Sequence, residues 1–398
     1  MPPTWNRGSR LRPDRRWLLG SVLAAAFALA ACSGGSLPRF ETQPATPQEP
    51  AAIGSGQVKA ALILPLTGSG NAGLVAAAMR NAAELALSEF NAPNVQLLVK
   101  DDGGTARGAQ AAAEQAIGEG AEIIIGPLFA QSVAAVGQVT RGRNIPVIAF
   151  STDASVAARG VYLLSFLPES DVTRVLDFAA QRGKRSFIAL IPDNAYGNVV
   201  DAAFRQAVAR HGGRVVALER YAADGGRAEE AVRRAALAAG QADSVFLPGE
   251  SQAVVPVAEA LSTAVPNLRR LQFLGTGLWD DPRVYANATL QDGWFAAPDS
   301  RGFKGFAARY KKRYGEDPLR AASLAYDAVS LVAALVKTQG AQRFAEQTLT
   351  NPSGFSGIDG IFRFRPDGTN ERGLAVMRVT PSGPQPVSPA PRTFPGQT

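Results

Sequence analysis

The sequence is poor in the residues that carry most enzyme chemistry. It has one histidine, one cysteine and three methionines in 398 residues. A lone cysteine, Cys32, excludes an intrachain disulfide and any cysteine-based zinc site. The lone histidine, His211, stands before Gly212-Gly213 and reads as the end of a helix, where the helix dipole favours a cation. Charge is also thin. Charged residues make up 19%, and no basic stripe interleaved with aromatics appears, so a nucleic-acid surface is excluded. The net charge of +7 does not argue otherwise, because residues 1–31 hold five arginines and one aspartate, a net of +4, which leaves +3 for the rest. The later run Lys311-Lys312-Arg313 sits near acids and reads as a solvated helix face. Asp101-Asp102 lacks a third hard ligand at useful spacing, so it reads as a strand-end turn and not a metal pair. No cofactor is expected.

What is present is apolar and periodic. Hydrophobic residues make up 46%, ordinary for a globular chain, and the length suits one or two domains. The first segment, residues 1–31, reads as an export signal. Its arginines precede an apolar stretch from Trp17 to Ala31 of about fifteen residues, too short to span a bilayer comfortably. The stretch ends in Leu29-Ala30-Ala31-Cys32, the bacterial lipobox pattern, in which the cysteine is acylated and becomes the new N-terminus. Cys32 is therefore the expected lipid anchor. Ser33, where an aspartate would retain such a protein in the inner membrane, directs the expectation to the periplasmic face of the outer membrane. Residues 32–57 are rich in Pro, Gly, Ser and Gln and read as a disordered tether. Such a segment has a root-mean-square span of roughly 25–30 Å. Residues 381–398 are proline-rich and read as a disordered tail.

Between them, residues 58–380 read as α/β. The organising stretch runs from Glu122 to Asp153. Ile123-Ile124-Ile125 is β-branched without alternation, which suits a strand buried on both faces. Gly126-Pro127 stops it, Val133, Val136 and Val139 follow at helical spacing, and Pro146 to Phe150 is apolar again. Strand, crossover helix and strand within about thirty residues make a βαβ unit, the building block of parallel sheets. The same alternation runs from Val58 to Phe166 and restarts from Asp171 to Leu274, which predicts two similar α/β lobes. Ile361 to Arg365 and Leu374 to Val379 read as a strand pair across Pro366-Asp367-Gly368. Ligands of open parallel sheets bind outside the carboxyl ends of the strands. The segments Gly126 to Gln131 and Ser151 to Asp153 lie at such ends.

Two motifs imitate catalysis. Gly68-Ser69-Gly70-Asn71-Ala72-Gly73 matches G-x-G-x-x-G, but Pro65-Leu66-Thr67 separates it from the strand, and Asp101 lies too far on for a dinucleotide site. It reads as a glycine-rich turn opening onto a ligand cleft. Gly249-Glu250-Ser251-Gln252-Ala253 imitates a nucleophile elbow, but no suitable histidine accompanies it, so Ser251 reads as a helix N-cap.

The order of these segments resembles the type I periplasmic-binding-protein fold, two Rossmann-like lobes with a central cleft. The finer match resembles the C-terminal domain of the LppC/YraM lipoprotein family of penicillin-binding-protein activators. It is carried by Ile125-Gly126-Pro127-Leu128, Ile145-Pro146-Val147-Ile148-Ala149-Phe150, Tyr196-Gly197, Tyr314-Gly315, Ala325-Tyr326-Asp327-Ala328 and Gly360-Ile361-Phe362-Arg363-Phe364. That resemblance implies a non-enzymatic partner of a bifunctional peptidoglycan synthase. The helical-repeat domain of longer members is replaced here by the tether. The rival reading is a receptor for an importer of branched-chain or other amino acids or peptides. In amino-acid receptors of this fold, hydroxyl and backbone groups of one lobe take the carboxylate, and an aromatic and an acid of the other take side chain and amine. Ser151, Thr152 and Asp153 match the first set, Tyr196 and Glu250 the second. Thr67 and Leu128, at the ends of the first and third strands, complete the candidate ligand set.

Overall fold

A computed structural model describes residues 52–222 and 228–394. Cys32, the export signal and the tether as far as residue 51 lie outside the described residues.

Lobe 1 opens with β1 (Val58–Leu64), α1 (Ala72–Glu89), β2 (Val95–Asp101), α2 (Ala106–Gly118), β3 (Ile123–Ile125), α3 (Ala130–Arg141), β4 (Val147–Ala149) and β5 (Val161–Leu163). These strands form one parallel sheet in the order β2-β1-β3-β4-β5. Lobe 2 follows with α4 (Pro168–Gln181), β6 (Ser186–Pro192), α5 (Ala195–Arg210), β7 (Arg214–Tyr221), α6 (Ala228–Leu237), β8 (Ser244–Phe246), α7 (Ser251–Ala264), β9 (Gln272–Gly275), α8 (Pro282–Ala286) and β10 (Trp294–Ala297). The chain then returns to lobe 1 for α9 (Ser300–Tyr314), α10 (Ala322–Thr338), α11 (Glu346–Leu349), β11 (Phe355–Gly357), β12 (Gly360–Phe364) and β13 (Asn370–Arg372). It ends in lobe 2 with β14 (Ala375–Arg378) and β15 (Gln385–Ser388). The lobe 2 sheet runs β15-β14-β10-β9-β8-β6-β7, parallel from β7 to β10, with β14 and β15 antiparallel at one edge. The lobes are joined where the chain crosses at residues 164–167, 298–299 and 373–374.

The sheets are buried on both faces, as their unalternating apolar strands require. In β1, Ala60, Leu62 and Leu64 point into the core shared with α1 and α10, while Ala61 and Ile63 point to α2 and α3. Each fully buried Leu or Ile side chain there stabilises the fold by about 1.5–3 kcal/mol before entropy is counted. Helix starts are set by short polar side chains. Thr105 accepts from the Gly108 N–H at 3.0 Å at the head of α2, and Asn194 from the Gly197 N–H at 2.8 Å at the head of α5. Gly315, with φ of 81°, ends α9 in the left-handed conformation.

The structure corrects the expected organisation at three places. Ile361–Phe364 and Ala375–Arg378 are not a pair. The turn at Pro366-Asp367-Gly368 joins β12 to its partner β13 in lobe 1, whereas β14 pairs with β10 in lobe 2, beyond the crossover at residues 373–374. The tail is ordered as far as described, because β15 pairs with β14 and Phe394 is buried under Arg363, whose guanidinium lies 4.5 Å from its ring. The last residues of the tether are also held: Ile53 exchanges backbone hydrogen bonds of 3.0 and 2.8 Å with Leu97, covering the β2 edge of the sheet.

Candidate functional site

A cavity of about 610 Å³ opens between the lobes at the carboxyl ends of both sheets. Thr152 and Arg320 line it from lobe 1, Phe166 from the first crossover with Pro168 at the head of α4, and Pro298 from the second crossover with Ala297 at the end of β10. Lobe 2 supplies Asp171, Asn194, Tyr196, Glu250, Gln252, Leu278 and Asp280. A larger hollow of about 730 Å³, beside Thr140, Arg141 and Arg159, sits at the opposite ends of β4 and β5. Open parallel sheets do not bind ligands at those ends.

On the lobe 1 side Arg320 is fixed from behind. Its Nη1 and Nη2 donate to the two oxygens of Asp359 at 3.0 and 2.6 Å, and Nη1 also donates to Ser323 Oγ at 2.9 Å. Asp359 is fully buried, whereas the Arg320 side chain is 42% exposed. The guanidinium carbon lies 4.5 Å from the ring centres of both Phe166 and Phe303. Two of the five guanidinium N–H groups, on Nε and Nη2, have no hydrogen-bond partner among the described residues.

The lobe 2 wall is acidic and hydroxylic. Asp171 stands in the first turn of α4, and its Oδ2 accepts from the Gly277 N–H at 2.9 Å. Burial pushes its carboxyl up to about 7, with Glu169 adding to the rise against the lowering effects of Gly277 and Arg372. Tyr196 shares a hydrogen bond of 2.7 Å with Thr276 Oγ1, and burial raises its phenol well above the usual range, so it is a neutral partner. Glu250 caps α7 by position and accepts from Gln252 Nε2 at 2.5 Å. Asp280 accepts from the Tyr285 hydroxyl. The turn that carries Gly277, Leu278 and Asp280 is anchored by Trp279, which is fully buried and donates from Nε1 to the Leu247 carbonyl at 3.0 Å. The indole lies against Gly275, where an added Cβ would come within 2.2 Å of it.

Of the seven ligand candidates read from the sequence, the structure brings Thr152, Tyr196 and Glu250 to this one cavity. The other four are occupied elsewhere. Thr67 donates from Oγ1 to Asp101 at 2.5 Å, which turns the glycine-rich loop into a closed strand-end turn away from the cleft lining. Leu128 packs on the lobe 1 core. Ser151 is buried and accepts from the Asp153 N–H at 3.1 Å, and Asp153 in turn caps the short helical turn Ala154–Val156. Ser251 does not cap its helix; it donates to Asp281 at 2.8 Å, while the sole histidine, His211, lies 2.6 Å from Asp177. Ser251 and His211 are therefore each paired with a different aspartate and do not form a nucleophile–base pair with each other. Among the described residues no cluster of three metal-ligating side chains occurs. Asp171 and Arg320 escaped the sequence reading. Asp171 reads as an ordinary first-turn acid, and Arg320 falls in a polar loop. The one available signal was Phe166-Leu167-Pro168, an apolar exit from the last lobe 1 strand that marks where the chain leaves the lobe.

The sequence profile of the periplasmic binding protein family matches residues 57–384. No curated protein matches the sequence. Solved structures share the fold. An ABC transporter substrate-binding protein from Sphaerobacter thermophilus superposes with a TM-score of 0.68 at 20% identity, covering 85% of this chain and 98% of its own. A leucine-binding protein from Thermotoga maritima gives 0.60 at 19%, with 84% and 98% covered. A solute-binding protein of an ABC transporter from R. palustris, in complex with benzoate, gives 0.59 at 18%, with 86% and 98% covered. These matches overturn the activator reading and its peptidoglycan-synthase partner: the likeness to these transport receptors runs along nearly their whole length. With two lobes, three crossovers and a profile match spanning both lobes, the chain belongs to the periplasmic binding protein family.

Proposed function

We propose that the chain is the solute receptor of an ABC importer and captures a ligand of amino-acid type between its lobes. The observation that carries this is the division of charge within one cavity. Arg320 and Thr152 offer N–H and O–H donors to a carboxylate on the lobe 1 side. Asp171, Glu250 and Asp280 offer acceptors to an ammonium on the lobe 2 side. Phe166, Leu278 and Ala253 provide apolar contact between them. Leucine, named for one neighbour, carries both a carboxylate and an amine; benzoate, bound in another, carries the carboxylate alone. Acylated at Cys32, the receptor would be held to a membrane.

Isothermal titration of the full chain against a panel of amino acids and benzoate tests the reading. One-to-one capture of at least one amino acid, weakened in Glu250→Ala, is expected. A natively folded protein that binds none of them would sink it, and benzoate binding alone would remove the amine half of the argument.

A further inference from the structure

Three carboxylates face this cleft, and each is met only by neutral donors. Asp171 accepts from a peptide N–H, Glu250 from the Gln252 amide and Asp280 from the Tyr285 hydroxyl. Three arginines stand near. Arg320 is paired with Asp359, Arg283 reaches its own turn at Asp281 at 3.0 Å, and the buried Arg372 donates from Nε to the Ser165 carbonyl at 2.9 Å and acts on Asp171 by its charge, without a hydrogen bond to it. The three acids come from separate elements: the head of α4, the loop before α7 and the turn after Trp279. The fold brings them to one wall although they are far apart in the chain. The α-amine of an amino acid answers one of them. Two remain, facing a cavity whose other walls are largely Phe, Pro, Leu and Ala side chains, where field lines are focused and screening is reduced.

We propose that the ligand carries a second positive charge, at the end of a side chain that crosses the apolar floor: a basic amino acid with an amine or guanidinium group. This rests on the receptor reading above and narrows its ligand class. The cleft is fixed by the fold; the acids set only the charge of what fills it. The apolar patch of Leu278, Ala253 and Pro298 suits the methylene stem, as lysine and arginine stems lie on apolar surface with their heads at polar groups. Asp171 supports the same account. In the unliganded protein burial drives it towards its neutral form, and the Gly277 N–H and the charge of Arg372 offset only part of that effect.

The test compares lysine with norleucine, which has the same methylene chain and lacks only the terminal amine. Titration calorimetry on the full chain, at mildly alkaline pH, is expected to give lysine or arginine an affinity at least about ten-fold above norleucine and leucine. The preference should shrink as ionic strength rises, because part of the attraction acts at exposed carboxylates. Glu250→Gln with Asp280→Asn should bring the ratio towards one, with thermal melting used to confirm folding. The ratio in the unsubstituted protein stands even if that variant fails to fold. Equal or tighter binding of norleucine or leucine would overturn the inference and leave the receptor standing. Binding of no amino acid would overturn both.

Discussion

Asp171 shows how a single carboxyl can report on the ligand. The groups that face it are Glu169 on its own turn, the peptide of Gly277, the Tyr196 phenol of α5 and the Arg372 guanidinium of β13. Its carboxyl is pushed up to about 7, mainly by burial. Below that value the free protein holds it protonated, and a protonated acid cannot pair with an ammonium. An arriving cation favours the charged form, so binding near neutrality releases a proton. Affinity for a cationic ligand should therefore rise between about pH 6 and pH 8, and Asp171→Asn should flatten that slope. Calorimetry in buffers of different ionisation heat measures the proton directly. A slope unchanged in the variant would show that another group titrates. None of this was legible in the sequence, where Asp171 is one acid among several in a helix start. Its environment is made by Gly277, more than one hundred residues away. Tyr196, Thr152 and Glu250 were legible because each follows a strand end, and the fold puts strand ends at the cleft. That rule fails for Thr67, Leu128, Ser151 and Asp153 because it fixes the height of a residue in the lobe and not the direction of its side chain.

At the level of elements, the turn Gly277–Trp279 does the positioning. Trp279 is buried against Gly275 and Gly293, and its indole N–H holds the Leu247 carbonyl at the end of β8. A methyl group at Gly275 would come within 2.2 Å of the indole, so Gly275→Ala must push the tryptophan out. We expect that substitution to destabilise the fold by about 1–3 kcal/mol, the ordinary cost of overpacking. It should also weaken ligand capture, because Asp280 and the Gly277 N–H move with the turn. Urea unfolding beside titration separates the two effects; full affinity in a destabilised variant would show that the turn does not set the site. Elements of this kind explain where sequence patterns succeed and fail. β1 and β3 are apolar throughout and announce themselves. β13 reads Asn-Glu-Arg and β15 reads Gln-Pro-Val-Ser. Both are strands because of the neighbour they pair with, and neither carries apolar periodicity.

For the whole molecule, the sequence yields two α/β lobes but not where the lobes exchange chain. The crossovers are short and carry no composition of their own, so residues 373–374 were hidden inside an expected hairpin. Attachment is a property of the whole chain as well. Cys32→Ala is expected to leave an unprocessed or soluble protein that still binds its ligand, since the described lobes start beyond it. Membrane fractionation with mass spectrometry checks this; unchanged mass and normal fractionation would remove the anchor. The late return of the chain has a consequence for how such a protein is made. Phe362 and Phe364 belong to the same core as Leu62, and Ala375 and Met377 to the same core as Trp279 and Phe295. Neither lobe can close its interior until the last few dozen residues have been delivered. A chain moving across a membrane from its amino end would thus stay open, and threadable, until its carboxyl end arrives, and both halves would then complete folding within one short interval.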